Sequence, residues 1–141
     1  MRPLCEPIGF KEWSVVCEAL GEGKQSIILR KGGIAEGRAG FAFQYPRFFL
    51  FPTLFHEQLD QLRYQPPADW TDPGVVEGEP VTVSYRVDMQ ASAVVDHWQT
   101  ILSLEPFHVW TEKVIEDRFD YTGNRCLHLA VVRVHRLKVP W

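Results

Sequence analysis

The stretch from Cys126 to Leu137 constrains the fold more than any other part of the sequence. Leu127, Leu129 and Val131 fall on one side of an extended chain, and Ala130, Val132 and Val134 fall on the other. A strand whose middle is apolar on both faces belongs inside a sheet or in a barrel wall. Val81, Val83, Tyr85 and Val87 alternate with Thr82, Ser84, Arg86 and Asp88, which predicts an antiparallel strand with one wet face. Gln25–Lys31, centred on Ile27-Ile28-Leu29, predicts a strand buried on both faces and closed by a Gly32-Gly33 turn. Phe41–Tyr45 and Phe48–Phe51 predict two shorter strands about Pro46-Arg47, the second stopped by Pro52.

Helical spacing appears elsewhere. Phe10, Trp13, Val16, Cys17 and Leu20 form one apolar stripe, expected on a first helix that Gly21 and Gly23 end. Thr53 is expected to cap a helix from Leu54 to near Arg63. Ser92 is expected to cap another, with Val94, Val95, Trp98, Ile101 and Leu102 on its apolar face, ended by Glu105-Pro106. Thr111 caps a shorter one through Arg118, with Val114, Ile115 and Phe119 inward, before a turn at Asp120–Asn124. Pro66, Pro67, Pro73 and Pro80, with Gly74, Gly78 and several acids, make 65–80 a loop. This order does not alternate as βαβ. The class is α+β, with helices packed on a compact mixed or barrel-like sheet, in a single globular domain spanning 1–141.

A chain with 45% apolar and 13% aromatic residues can close a core without a disulfide or a metal. Cys5, Cys17 and Cys126 include no CxxC pair, so reduced thiols are expected, with a Cys5–Cys126 bridge as the alternative. No signal-peptide h-region follows Met1, and the apolar runs Phe48–Phe51 and Leu127–Val132 are too short to span a bilayer. The expected location is cytoplasmic, with no membrane partner. The net charge of −3 argues against bulk attraction to nucleic acid but leaves room for a local basic patch.

Three groups of residues carry possible chemistry. Arg30-Lys31-Gly32-Gly33 places two cations and two glycines at a strand end, a pattern that suits an anion, although a solvated strand end with a tight turn reads the same way. It is neither a Walker A loop nor a GxGxxG fingerprint. His56-Glu57 offers an acid–base pair or two metal ligands, yet no further ligand sits at diagnostic spacing, and helix-end charge explains the pair as well. Arg125, Arg133, His135, Arg136 and Lys138, joined by Arg30, Lys31 and Arg38, would build one basic face. Trp13 and Trp98 sit on apolar helix faces in this reading. Trp70 and Trp110 have no such place and stand as stacking candidates, with Trp141. Glu22-Gly23-Lys24 has the spacing of half a nuclease motif but lies in a turn with no preceding Asp, and no GxSxG or HExxH occurs.

Several blocks are similar to a bacterial family known as the domain of unknown function numbered 1802. They are Phe10-Lys11-Glu12-Trp13, Glu18-Ala19-Leu20, Gly23-Lys24-Gln25, Leu29–Ile34, Phe49–Thr53 and Leu127–Val134. That resemblance implies a part in restriction–modification beside an endonuclease-type partner, as recognition rather than cutting. The helix, Gly-Lys turn and strand ending in Arg-Lys also resemble the opening of the ASCH branch of the PUA superfamily, small barrels that bind RNA or modified bases. Leu29 stands where that branch carries Glu. The resulting expectation is a DNA- or RNA-recognition module without a cofactor or metal, using Arg30, Lys31, Gly32, Gly33 and Arg133. The alternatives are a small enzyme on a nucleotide-like anion, with His56 and Glu57 as acid and base, and a non-enzymatic protein-docking domain that uses the 65–80 loop.

Overall fold

A computed structural model describes residues 9–31, 46–53, 61–66 and 82–139. Among these residues, five strands are β1 (Gly9–Trp13), β2 (Ile27–Arg30), β3 (Arg47–Thr53), β4 (Tyr85–Val95) and β5 (Leu127–Arg136). Three α-helices among them are α1 (Ser14–Gly21), α2 (Trp98–Ser103) and α3 (Glu112–Asp120). The strands form one sheet in the order β1-β3-β4-β5-β2. The β1–β3 pair is parallel and the others are antiparallel, so the sheet is mixed.

β5 lies inside the sheet, between β4 and β2, as its two apolar faces require. Ile27, Ile28 and Leu29 of β2 are buried although β2 is an edge strand. That edge is protected from outside. The Arg118 Nη1 of α3 donates to the Leu29 carbonyl at 2.9 Å, so a cation occupies an acceptor that an open edge would offer to another chain. The core joins Phe10 and Phe48, whose ring centroids are 5.5 Å apart, to Val16 and Leu20 of α1 and Ile115 and Phe119 of α3.

Helix α1 ends in a Schellman motif. Gly23 adopts φ 78°, its N–H donates to Leu20 O at 3.2 Å, and Lys24 N–H donates to Ala19 O at 2.9 Å. Gly21 is needed for a different reason: a Cβ there would lie 2.2 Å from Tyr85 Cε1. Thr111 caps α3, its Oγ1 accepting from Val114 N, and Val114, Ile115 and Phe119 are buried, as expected.

The structure corrects five local expectations. Phe10 and Trp13 lie on strand β1 and not on the first helix, which starts at Ser14. Alternating burial of Phe10 and Glu12 and parallel pairing with β3 override the helical spacing there. β3 runs through Pro52 to Thr53, because β4 pairs only with Arg47–Phe49 and leaves the Pro52 nitrogen without a β4 partner. Val83 and Ser84 precede β4, which begins at Tyr85. Ser92, Val94 and Val95 are strand residues, paired with Ala130, His128 and Leu127 of β5, and α2 holds only Trp98–Ser103. A bulge between Met89 and Ala91 carries β4 past the point where its period-2 signal fades. Trp110 is fully buried and so is a core residue rather than a stacking platform.

The expected strand at Phe41–Tyr45, the body of the helix from Leu54, and the 67–80 part of the loop lie outside the described residues. Gln61–Arg63 is tied to the 109–111 segment through a bridge between Leu62 and Trp110. Cys17 and Cys126 take part in no disulfide among the described residues, and Cys5 lies outside them. Among the described residues no helix is long and apolar enough to cross a membrane.

Candidate nucleic-acid interface

The sheet is open, yet its two edge strands face each other. The Arg30 guanidinium of β2 sits 5.0 Å from the Phe10 ring centroid of β1. Side chains, not a hydrogen-bond ladder, span this seam. A cleft of about 300 Å³ opens along it, lined by Phe10–Trp13, Leu29–Lys31, Thr53 and Arg118. That volume is at the lower end of small-molecule sites, roughly 300–1,000 Å³.

Each lining group is set by the fold. Lys11 is exposed, because strand alternation turns it away from the buried Phe10 and Glu12. Arg118 is held by Leu29 O and by two indoles, 4.5 Å from the Trp110 ring centroid and 5.4 Å from that of Trp13. Glu12 is 7% exposed, and its Oε1 accepts the Trp13 backbone N–H at 2.8 Å. Burial pushes its pKa above the ordinary carboxylate range, against the opposing pull of Arg118, the Trp13 N–H and Arg30. Lys31 lines the cleft with its stem, while its Nζ donates to the carbonyls of Phe119 (3.1 Å), Cys126 (3.1 Å) and Asn124. Its ammonium therefore staples β2 to the α3–β5 connection.

The anticipated basic face is divided. Strand alternation sends Arg133 and His135 to one side of β5 and Arg136 to the other. Arg133 is exposed and lies outside the cleft lining. His135 contacts Asp88 at 3.0 Å, and Asp88 also takes Arg47 at 2.9 Å. Burial would raise the Asp88 pKa, but Arg47, Arg86 and His135 outweigh it and hold the carboxyl below its ordinary range. Arg136 donates to the Tyr85 hydroxyl at 2.9 Å, and Arg125 pairs with Asp120 at 2.9 Å. Gly32, Gly33, Arg38, His56, Glu57, Trp70 and Trp141 lie outside the described residues. No group of three His, Cys, Asp or Glu suited to a metal occurs among the described residues.

Of the residues singled out from the sequence, the cleft brings together Arg30 and Lys31. It adds Lys11, Glu12, Trp13 and Arg118, which no local pattern marked as a site. The available signal was a carboxylate inside an apolar stripe, Glu12 between Phe10 and Trp13, which asks for a partner wherever that stripe is buried.

Comparison with known proteins gives two findings. A family model described as "Domain of unknown function (DUF1802)" matches residues 9–141. A crystal structure of ASCH from Zymomonas mobilis shares the fold with a TM-score of 0.54 at 12% sequence identity. The match covers 89% of this chain and 65% of that one, so the chain spans less than two thirds of its structural neighbour. At that identity the likeness speaks for an ASCH-like architecture alone. No curated protein matches.

Proposed function

We propose that this chain, which belongs to the DUF1802 family, recognises single-stranded nucleic acid, RNA first, in the cleft between β1 and β2. One observation carries the reading. On a chain of net charge −3, the cleft gathers Lys11, Arg30 and Arg118 against a single carboxylate, beside the half-buried indole of Trp13. Cations with adjacent rings are the elements of single-strand binding: charge follows the backbone, and a ring accepts an unstacked base. A 300 Å³ cleft has room for one base, not for a duplex. The Gly-Lys turn and the strand ending in Arg30-Lys31, which resemble the opening of the ASCH branch, support the choice of RNA. Lys11 and Arg30 contact phosphate, and Arg118, packed on its indoles, shapes the floor. In the restriction–modification role that the sequence resemblance implies, this recognition is the chain's contribution beside an endonuclease-type partner.

The test is fluorescence anisotropy with labelled single-stranded RNA, single-stranded DNA and duplex DNA across a salt series. Binding to the single strands should weaken steeply with salt. Lys11→Ala and Arg30→Ala should each lower the slope of log K against log salt by about 0.7. An absence of binding at low salt, or affinity indifferent to salt, refutes the proposal.

A further inference from the structure

The carboxylate in the cleft is out of place in a site that holds only phosphate. It is also not consumed by the arginines around it. Glu12 lies within electrostatic range of Arg118 and Arg30, yet no ion pair within 4.0 Å joins it to either. Oε1 holds the Trp13 N–H, and Oε2 has no hydrogen-bond partner among the described residues. The backbone beneath is pinned, since Thr53 Oγ1 donates to Glu12 O at 3.1 Å and Cys17 Sγ approaches the same oxygen at 3.7 Å. A nearly buried acceptor is thus fixed on the cleft wall with hydrogen-bonding capacity unused.

We infer that Glu12 reads the base, and that the base is guanine. This rests on the nucleic-acid reading above. A carboxylate has about four acceptor positions and no donor when ionised. Guanine alone among the four common bases presents two adjacent N–H donors, N1–H and N2–H, on its Watson–Crick edge. Adenine and cytosine set a ring acceptor beside their amino group, and uracil sets two carbonyls around its N3–H. Each would turn an acceptor toward a carboxylate that, in the ionised form Arg118 and Arg30 favour, has nothing to donate. Oε2 and the remaining lone pair of Oε1 meet the two guanine donors. Trp13, next along the strand, lines the same cleft, and Lys11 on the exposed face takes the adjoining phosphate.

The experiment uses the full chain and four RNA pentamers of uridine whose central position is G, A, C or U. The wild-type protein should bind the G pentamer about 5- to 150-fold more tightly than the others, the worth of one good bidentate pair. Glu12→Gln keeps an oxygen for the Trp13 N–H but converts one acceptor to a donor. It should reduce the G preference, read as the ratio of G- to U-pentamer affinity in the same variant, to below about twofold. Salt-sensitive binding of all four pentamers with equal affinity would overturn this inference and leave the nucleic-acid reading standing. No binding of any pentamer would remove both. The wild-type panel decides the matter even if the variant does not fold.

Discussion

Gly21→Ala should destabilise the protein, although alanine in place of a helical glycine ordinarily stabilises by up to about 1 kcal/mol. The new methyl would sit 2.2 Å from Tyr85 Cε1, 2.3 Å from Cζ and 2.7 Å from the hydroxyl oxygen, more than about 1 Å short of ordinary contact. The ring must retreat. It is 5% exposed and held by its hydroxyl, which donates to Glu18 Oε2 at 3.1 Å and accepts from Arg136 at 2.9 Å. Overpacking costs roughly 1–3 kcal/mol, and each lost hydrogen bond adds about 1 kcal/mol. Set against the helix gain, the net loss is about 2 kcal/mol, a fall of about 1 M in the urea midpoint. Urea unfolding followed by tryptophan fluorescence measures it. Tyr85→Leu supplies the second edge of a double-mutant cycle: in that background the alanine should cost far less, with a coupling of about 1–2 kcal/mol. A Gly21→Ala protein as stable as the wild type would refute the close-approach argument.

Further outcomes are expected. Burial, reinforced by Arg63 and Arg118, lowers the His108 pKa to about 4. The folded state therefore resists a proton that the unfolded chain accepts near pH 6.5, so stability is fully present above that pH. It is lost as pH falls toward about 4, on the order of 2–3 kcal/mol; His108→Gln should flatten this part of a pH–stability curve. Lys31→Met, which removes the staple to the carbonyls of Phe119, Asn124 and Cys126, should cost about 1–2 kcal/mol. Amide exchange should then accelerate at Asn124–Cys126 before it does in β4.

What could be read from the sequence follows from how local each cause is. β5 and β2 were legible because residues apolar on both faces have no place at a wet surface. α3 was legible because Thr111, Val114, Ile115 and Phe119 state the cap and the buried face within nine residues. β1 was not. Phe10 and Trp13 are three apart, a spacing shared by a helix stripe and an imperfect strand, and the deciding partner, Phe49–Thr53, lies about forty residues away. The same holds for Ser92–Val95, whose strand state is imposed by Leu127–Ala130. The site was legible only where it coincides with a strand end, at Arg30. Lys11, Glu12 and Arg118 reach the cleft because the sheet curls until its edges meet, an outcome written in no single segment. Lys31 shows the converse: its charge was visible, but its three backbone acceptors come from Phe119–Cys126.

The interior place of β5 also sets a schedule for synthesis. Ile27 of β2 sits opposite Val131 of β5, so β2 is made about a hundred residues before its neighbour. At roughly 5–20 residues per second, that is a wait on the order of 5–20 s. Throughout it, Ile27–Leu29 have no sheet to join. The β1–β3–β4 layer can assemble earlier, but it stays cut off from β2 until β5 arrives to bridge them. A nascent chain stalled or truncated before Leu127 therefore holds two disconnected sheet fragments with uncovered apolar faces, the state that chaperones and proteases recognise.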